Sequence, residues 1–375
     1  LYMDSFPNAD DAGEMQYYYA EMVWQRADKE TNPSKASLLW EQAANEYEKI
    51  VEGGKAKKDV LKEAAYAQVL AWKNALNVDP ASDRAEVDAD KDYGKIQAKE
   101  IPEKERKMIA AFDRYIQYIK DPNDKELVDM KFFRARIYWK YNDYEKAVPL
   151  FEEIIKNHAA HPTAEFAANL LLDCLARSND HERLGEWVDR LLANAKFLED
   201  KQEMAGDLKL LKGQTMRKLA ESLEKEKKYR ACGDQYKKIF QSYPGTSDEP
   251  VLFYNAASCY EKAGLIGQSI FWRGKLIANH PKHDLAKKSQ YAIGVNFSQI
   301  AMYNEAAQKY EEYAKGHSGE KNAADALNDA TFFRKGLGDD KEAIDLTNYY
   351  VKMWGRKNSQ TAAMAYFSLV DIYEK

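Results

Sequence analysis

A helix–turn–helix signature recurs along this chain at a nearly constant spacing. Six short stretches combine a polar turn with the start of a helix and end on a small or apolar residue. These six residues are Ala147, Leu184, Cys232, Ser269, Ala306 and Ala343. Four of the five intervals between them are 37 residues long, and the fifth is 48. Because one helical hairpin cannot bury its own apolar stripes, this period predicts a stack of hairpins that cover one another.

The stretch 128–163 is the clearest early copy of the repeated unit. Its apolar residues follow a helical spacing on both sides of a polar turn at Asn142 and Asp143. The turns between units repeat as well, because Pro244 and Pro281 are also 37 residues apart. Proline cannot continue a helix, so each of these two prolines marks the end of a second helix.

Small residues recur in the middle of the first helix of the units, at Ala135, Ala220, Ala257 and Gly294. A small side chain at a helix crossing lets the paired helix approach closely. The one long interval places about eleven extra residues within 192–213. It therefore predicts longer helices in that part of the chain.

Composition favours helices and restricts the classes of partner. The 375 residues include only 10 prolines and 18 glycines, so few positions interrupt a helix. The net charge is −5 and no basic stripe is present, which argues against nucleic acid as a partner. No run of about 18 apolar residues is present that could span a membrane. We therefore predict an all-α chain that has no transmembrane segment.

The ends of the sequence and its cysteines lead to two further expectations. The start shows no signal-peptide pattern, and the sequence stops within a helical pattern. We therefore expect a fragment of a longer protein. The three cysteines, Cys174, Cys232 and Cys259, are too few for a disulfide scaffold and are interpreted as small core residues. A disulfide between Cys232 and Cys259 stays open, because these two residues lie on adjacent predicted helices.

No residue pattern indicates catalysis. No serine, cysteine or lysine lies in a nucleophile motif, and no glycine-rich phosphate loop follows a strand. Two histidine pairs could contribute to a zinc site, but neither has a third or fourth ligand nearby. These pairs are His158 with His161, and His280 with His283. We therefore predict a non-enzymatic protein that uses no cofactor.

An acidic stretch offers a candidate calcium site. Asp88, Asp90 and Asp92 alternate before Gly94, and alternating carboxylates in a turn can converge on a hard cation. An EF-hand loop has its glycine at the sixth position and a glutamate at the twelfth, whereas Gly94 and Glu100 each come one position later. The alternative interpretation is a solvated acidic loop.

The repeated unit resembles the tetratricopeptide repeat, and the stretch 252–281 shows this most fully. It matches the family pattern at Phe253, Ala257, Tyr260 and Pro281. It departs from the pattern at Ser269 and Arg273, where the family has an alanine and an aromatic residue. The resemblance is strong over 128–357 and weaker over 1–127.

The resemblance implies a right-handed α-solenoid of stacked antiparallel helix pairs. Residues 128–357 would form its regular repeats, and 358–375 would form the first helix of a further, truncated repeat. Residues 1–127 would form divergent helix pairs with an acidic inserted loop at 78–101.

Members of this family are scaffolds for protein–protein interaction. The resemblance therefore implies that the partners are other proteins or peptides, together with neighbouring repeats of the same longer chain. The turns are similar to those of bacterial cell-envelope members, including proteins of gliding motility and envelope biogenesis. This similarity implies a periplasmic or envelope location, with the cytoplasm as the alternative. Two other functions stay open: a solenoid that binds glycans or small ligands, and a structural spacer within a larger multidomain protein.

The family binds its partners in a groove lined by first helices. Carrying the groove positions onto this sequence gives Phe132, Arg136, Trp139, Lys140, Asn169, Asp173, Tyr254, Asn255, Ser258, Glu261, Tyr291, Asn328 and Phe332. The lysine–asparagine set that clamps a C-terminal carboxylate in chaperone-binding members is not reproduced. Phe132, Arg136 and Trp139 are the strongest candidates, since aromatic residues and arginine are enriched at binding hot spots. The alternative is that these aromatic residues pack between repeats.

Overall fold

The computed structural model describes residues 5, 9, 11–78, 85–91, 93–119, 124 and 126–374. Those residues form α-helices joined by turns and loops, and they include no β-strand. In chain order the helices are α1 (Ala12–Lys29), α2 (Pro33–Gly53), α3 (Lys58–Leu76), α4 (Glu103–Tyr118), α5 (Leu127–Lys140), α6 (Tyr144–Asn157), α7 (Thr163–Arg177), α8 (His181–Ala193), α9 (Gln202–Lys225), α10 (Tyr229–Ser242), α11 (Glu249–Lys262), α12 (Ile266–Asn279), α13 (Asp284–Gln299), α14 (Tyr303–Gly316), α15 (Ala323–Leu337), α16 (Asp340–Trp354), α17 (Ser359–Phe367) and α18 (Val370–Tyr373). The all-α fold predicted from the sequence is confirmed.

The helices pack in sequence order, as in a stack of hairpins. Most helices contact the helix before and the helix after them, and contacts also join α5 with α7 and α11 with α13. First helices of successive hairpins therefore lie side by side, which is the packing of an α-solenoid. The chain divides into two compact units, Leu1–Thr215 and Met216–Lys375.

The 37-residue phase marks one structural position throughout the repeats. We call the six residues that end the repeated stretches, from Ala147 to Ala343, the phase residues. Each of them is the fourth residue of its second helix. All six are 0% exposed, including Leu184 and Cys232 on the two sides of the longer interval. The register predicted from the sequence therefore coincides with the packed side of every second helix.

The described residues of each unit form two apolar cores. In the first unit, one core lies among α1 to α5 around Trp72, and the other lies among α5 to α8 around Phe151. In the second unit, one core surrounds Phe253 and the other surrounds Tyr350. Burial of these large side chains is the main favourable contribution to the folding of each unit.

The longer interval between repeats lengthens one helix, as predicted. Helix α9 has 24 residues, whereas α10 and α11 have 14 each. The segment 194–201 that precedes α9 contains no helix. The extra residues are therefore divided between a loop and the extended start of α9.

One apolar side of α1 is exposed rather than packed in a core. Met15, Tyr18, Tyr19 and Met22 follow a helical spacing, but they are 40–59% exposed. The buried side of α1 consists of smaller residues such as Ala20. An apolar stripe in a sequence shows that a helix has an apolar side, but it does not show what covers that side.

Replacing Gly294 with alanine should lower the free energy of unfolding of the second unit by about 1–3 kcal/mol. A Cβ atom added at Gly294 would lie 2.7 Å from the ring of Tyr310, which is itself buried. Alanine is the better helix former by about 1 kcal/mol, so the clash must outweigh that gain. Urea denaturation followed by circular dichroism measures the effect.

The control for this prediction is Gly274→Ala in the neighbouring helix α12. A Cβ atom added at Gly274 would meet nothing within 4 Å. This variant should therefore gain about 0.5–1 kcal/mol from helix propensity alone. Equal effects of the two variants would contradict the close approach of Tyr310 to Gly294.

Candidate functional site

The acidic insert between α3 and α4 is an extended segment that lies on the helices. Residues 85–91 and 93–102 contain no helix or strand. Ala89 is 1% exposed, and Ala85 and Val87 pack against the core of α5 to α8. Glu86, which lies between Ala85 and Val87, and Asp90, which follows Ala89, are exposed. This alternation is the side-chain pattern of an extended chain with one side buried.

Asn169 on α7 binds the backbone of this insert with both ends of its side-chain amide. Its Oδ1 accepts a hydrogen bond from Ala85 N at 2.9 Å, and its Nδ2 donates one to Ala85 O at 3.0 Å. A side-chain amide has both a donor and an acceptor, so it can satisfy both backbone groups of one residue. The first predicted groove residue on α7 therefore holds an extended peptide segment of the same chain.

Further along the insert, hydrogen bonds again reach the backbone. Asn179 Nδ2 donates to Gly94 O at 3.1 Å, and Asn142 Nδ2 donates to Gln97 O at 3.5 Å. The backbone N of Lys99 donates to Tyr141 O at 2.8 Å. These bonds use groups that almost every residue type provides, so they fix the path of the segment with little demand on its sequence.

The buried carboxylate of Asp173 positions Arg177 against the ring of Tyr93 in the insert. Asp173 is fully buried, and it accepts hydrogen bonds from Trp139 Nε1 at 2.7 Å and from Arg177 Nε at 2.7 and 2.8 Å. The guanidinium carbon of Arg177 lies 5.1 Å from the centre of the Tyr93 ring, a cation–π arrangement.

The pKa values around Asp173 reflect this burial and pairing. Burial, followed by the charge of Asp173, raises the pKa of Tyr93. Burial opposes the charge on Arg177, but the hydrogen bond to Asp173 and the negative charge of Asp173 together outweigh it and raise the pKa of the guanidinium. Arg177 therefore carries its charge under the Tyr93 ring throughout the physiological pH range.

The predicted groove residues of the first unit separate into three groups. Asn169, Asp173 and Trp139 meet around the insert, directly or through Arg177. Phe132 is buried and packs against other aromatic rings, which agrees with the alternative of packing between repeats. Arg136 and Lys140 line a different cavity.

This other cavity lies among α3, α4 and α5 and encloses about 170 Å³. Its apolar lining includes Val69, Leu70, Val78, Met108, Phe112, Met130, Phe133 and Ile137. Lys73, Arg136 and Lys140 line it together with Glu105 and Glu126. Because Lys140 Nζ is 3.0 Å from Glu105 Oε1, part of this charge is already balanced within the protein.

A larger cleft of about 1060 Å³ runs beside the insert. Residues 94–98 of the insert line it on one side. The helix ends and turns at 142–149 and 175–183 line the rest. This part of the insert is therefore accessible beside its attachment points, unlike Ala89.

The predicted groove residues of the second unit lie on three helices. Tyr291 packs against Tyr310 and Tyr313, with ring centres 5.6 and 5.3 Å apart, whereas Phe332 is 72% exposed. Asn255, Ser258 and Asn328 are partly buried. Tyr254 and Glu261 both lie against Arg273 of α12.

Arg273 and Ser269, the two departures from the family pattern, belong to one buried network. Ser269 Oγ donates to Asn296 Oδ1 at 3.0 Å, and Arg273 Nε donates to the same oxygen at 3.2 Å. Arg273 Nη2 donates to Glu261 Oε2 at 2.5 Å. Sequence reasoning missed this network. The only signal for it was that two polar residues replaced apolar ones on the same side of α12.

The calcium candidate is only partly described, so it stays a prediction. Asp88 Oδ1 accepts a hydrogen bond from Asp90 N at 2.9 Å and so caps its own turn. Asp92 lies outside the residues that the structure describes. Of the described residues, only Glu224, Cys232 and Cys259 bring three potential ligand atoms within 4.8 Å of one another.

The two cysteines of that group form a disulfide. Cys232 on α10 and Cys259 on α11 are bonded, with a Cα–Cα distance of 5.9 Å, which is usual for disulfides. The alternative left open by the sequence is therefore present in the structure. Cys174 is a buried free thiol, and burial raises its pKa.

The histidine pairs lie at helix ends. His280 Nε2 is 3.3 Å from Glu249 Oε1, and His283 Nδ1 accepts a hydrogen bond from Leu285 N at the start of α13. His161 Nδ1 accepts one from Thr163 N at the start of α7. Burial, followed by the charge of Lys131, lowers the pKa of His158. Local backbone hydrogen bonds account for His161 and His283, and the contact with Glu249 of α11 accounts for His280.

The fold and these sites define a class of protein: a helical-repeat protein with solenoid-like packing. A scan against protein-family models finds no match, and no curated protein matches the sequence. None of the described helices is long and apolar enough to cross a membrane. The tetratricopeptide identity of the repeats stays a prediction.

Proposed function

We propose that this protein is a non-enzymatic scaffold for protein–protein interaction, built from repeats of the tetratricopeptide type. The exposed stripe of α1 carries this proposal. It consists of Met15, Tyr18, Tyr19 and Met22, which lie on one side of the helix. Tyrosine and methionine are enriched at protein interfaces, and a contiguous exposed apolar patch usually marks an interaction surface.

A bacterial envelope location is the second part of the proposal. The disulfide between Cys232 and Cys259 supports it, because such bonds persist in oxidising compartments and are rare in the cytosol. The style of the turns between repeats points the same way. In this setting the protein would hold partners of a motility or envelope-biogenesis assembly against its repeats.

Photocrosslinking from α1 tests the scaffold function. A photoreactive amino acid at Met22 should form discrete adducts with specific proteins of an envelope extract. The same group at Leu210 is the control, because Leu210 is a more exposed apolar residue in α9. Adding Tyr18→Glu should abolish the adducts from position 22, since a carboxylate would have to be buried in the interface.

Three outcomes of this experiment would contradict the scaffold function. Equal adducts from positions 22 and 210 would show non-specific adhesion. Absence of protein adducts, combined with a thermal shift on adding muropeptides or sugars, would favour a ligand-binding solenoid. Absence of both would favour a structural spacer.

A further inference from the structure

We propose that residues 85–91 and 93–99 of the chain occupy the face formed by α5 and α7 as an internal ligand, and that an extended peptide segment of a partner protein displaces them from it. This inference extends the proposed scaffold function to a second face, and it does not depend on the stripe of α1.

The first support is the way in which the insert is held. Asn169 binds both backbone groups of Ala85, and Asn179 and Asn142 donate to further backbone carbonyls. Recognition of this kind is independent of most side chains of the bound segment. A partner segment with the same backbone path would make the same hydrogen bonds.

The second support is the set of side-chain positions that the face selects. Only a small side chain fits at Ala89, which is buried in the core of α5 to α8, whereas Ala85 and Val87 are partly buried against the same core. An aromatic ring is favoured four residues after Ala89, where Arg177 lies under Tyr93. The partner segment should therefore carry apolar residues at alternate positions, the last of them small, followed by an aromatic residue. Its intervening positions, equivalent to the exposed Glu86 and Asp90, are free to vary.

The third support is that the insert covers the face in an extended form, outside any helix, and buries only a small part of its length in the core. Ala89 is its one fully buried residue among those described, and residues 97–100 are exposed. Segments with few buried apolar contacts open at low free-energy cost. The cleft beside residues 94–98 gives a competing segment access to the backbone positions that Asn179 and Asn142 hold.

Occupation by a segment of the same chain has a thermodynamic consequence. A tethered ligand competes at a high effective concentration. The apparent affinity of a partner is therefore its intrinsic affinity multiplied by the fraction of molecules whose face is open. Weakening the insert should therefore strengthen the binding of a peptide added in trans. A face that is not a binding site would show no such inverse relation.

The test uses the full chain and a fluorescent peptide with the sequence of residues 85–99. The double variant Ala89→Arg/Tyr93→Ala weakens the insert and leaves α5 and α7 unchanged. Fluorescence anisotropy should show that this variant binds the peptide at least about tenfold more tightly than the unaltered chain does. Adding Asn169→Ala to the double variant should reduce the binding by about tenfold, through loss of two hydrogen bonds.

Controls separate this inference from the scaffold function. A peptide that itself carries Ala89→Arg should not bind, and Tyr18→Glu/Met22→Glu in α1 should leave peptide binding unchanged. Equal binding to the unaltered chain and the double variant would overturn the proposal. So would the absence of binding to both, or binding that does not respond to Asn169→Ala.

Hydrogen–deuterium exchange keeps the proposal testable if the double variant does not fold. In the unaltered chain, amides of residues 85–99 should exchange faster than those of α5 and α7, and Asn169→Ala should accelerate them further. Exchange of the insert at the same slow rate as α5 and α7 would show that it is a permanent part of the fold, and would overturn its role as a displaceable ligand.

Discussion

Replacing Glu261 with alanine should lower the free energy of unfolding of the second unit by about 3 kcal/mol. Glu261 is the charged partner of Arg273, whose side chain is only 5% exposed. Without that carboxylate, Arg273 keeps hydrogen-bond acceptors on Ser269 and Asn296, but both of these are neutral. A buried guanidinium that loses its counter-ion retains its desolvation cost and loses the attraction that offset it. The urea midpoint of amide exchange in α11 to α13 measures this loss.

Lys262→Ala is the matched control for Glu261→Ala. Lys262 is next to Glu261 and pairs with Glu224, but both side chains of that pair are largely exposed, at 47% and 37%. An exposed ion pair contributes about 0–1 kcal/mol, so this change should have a small effect. A loss at Lys262→Ala as large as that at Glu261→Ala would show that the burial of Arg273 is not the cause.

A double variant separates the cost of the unpaired charge from the value of the pair. Arg273→Leu combined with Glu261→Gln removes both charges and puts an apolar residue where the family pattern has one. Replacing a whole buried pair with apolar groups is often neutral, so the double variant should be more stable than Glu261→Ala alone. An additive, larger loss would mean that the network holds α11, α12 and α13 together by more than charge neutralisation.

For this network, the sequence predicts which positions are packed but does not predict which side chains bind one another. The phase residue Ser269 was placed correctly from the 37-residue period, because the period reports which side of each second helix is packed. The identity of its partner was not accessible. Asn296 is 27 residues away on another helix, and no spacing rule within a single helix links the two positions.

The insert illustrates a different limit. Its sequence lacks a helical stripe, and its acidic residues alone leave a calcium site or a solvated acidic loop as interpretations, yet Ala85, Val87 and Ala89 alternate with acidic residues. That period of two predicts an extended segment with one side buried, and it was the available signal. The contact with Asn169 spans 84 positions, and it follows only from the three-dimensional stacking of α5 and α7.

Removing the disulfide between Cys232 and Cys259 should lower the free energy of unfolding of the second unit by about 3–4 kcal/mol. The bond joins α10 to α11 and closes a loop with a sequence separation of 27 residues, so it restricts the unfolded chain. Cys232→Ala/Cys259→Ala is the suitable variant, because alanine occupies the position of Cys232 in three other repeats, at Ala147, Ala306 and Ala343. Alanine at residue 232 therefore fits the packing, and most of the loss comes from the cross-link.

Reduction provides an independent measurement of the same bond. A thiol reductant should lower the melting temperature of the unaltered chain and leave that of the double alanine variant unchanged. Cys174→Ala is the control, because this thiol is buried and unbonded in the first unit, and its removal should preserve the response to reductant. Alkylation of the denatured, unreduced protein should modify one thiol of the three. Modification of all three, with melting that does not respond to reductant, would contradict the disulfide and would also remove the support that it gives to an oxidising envelope compartment.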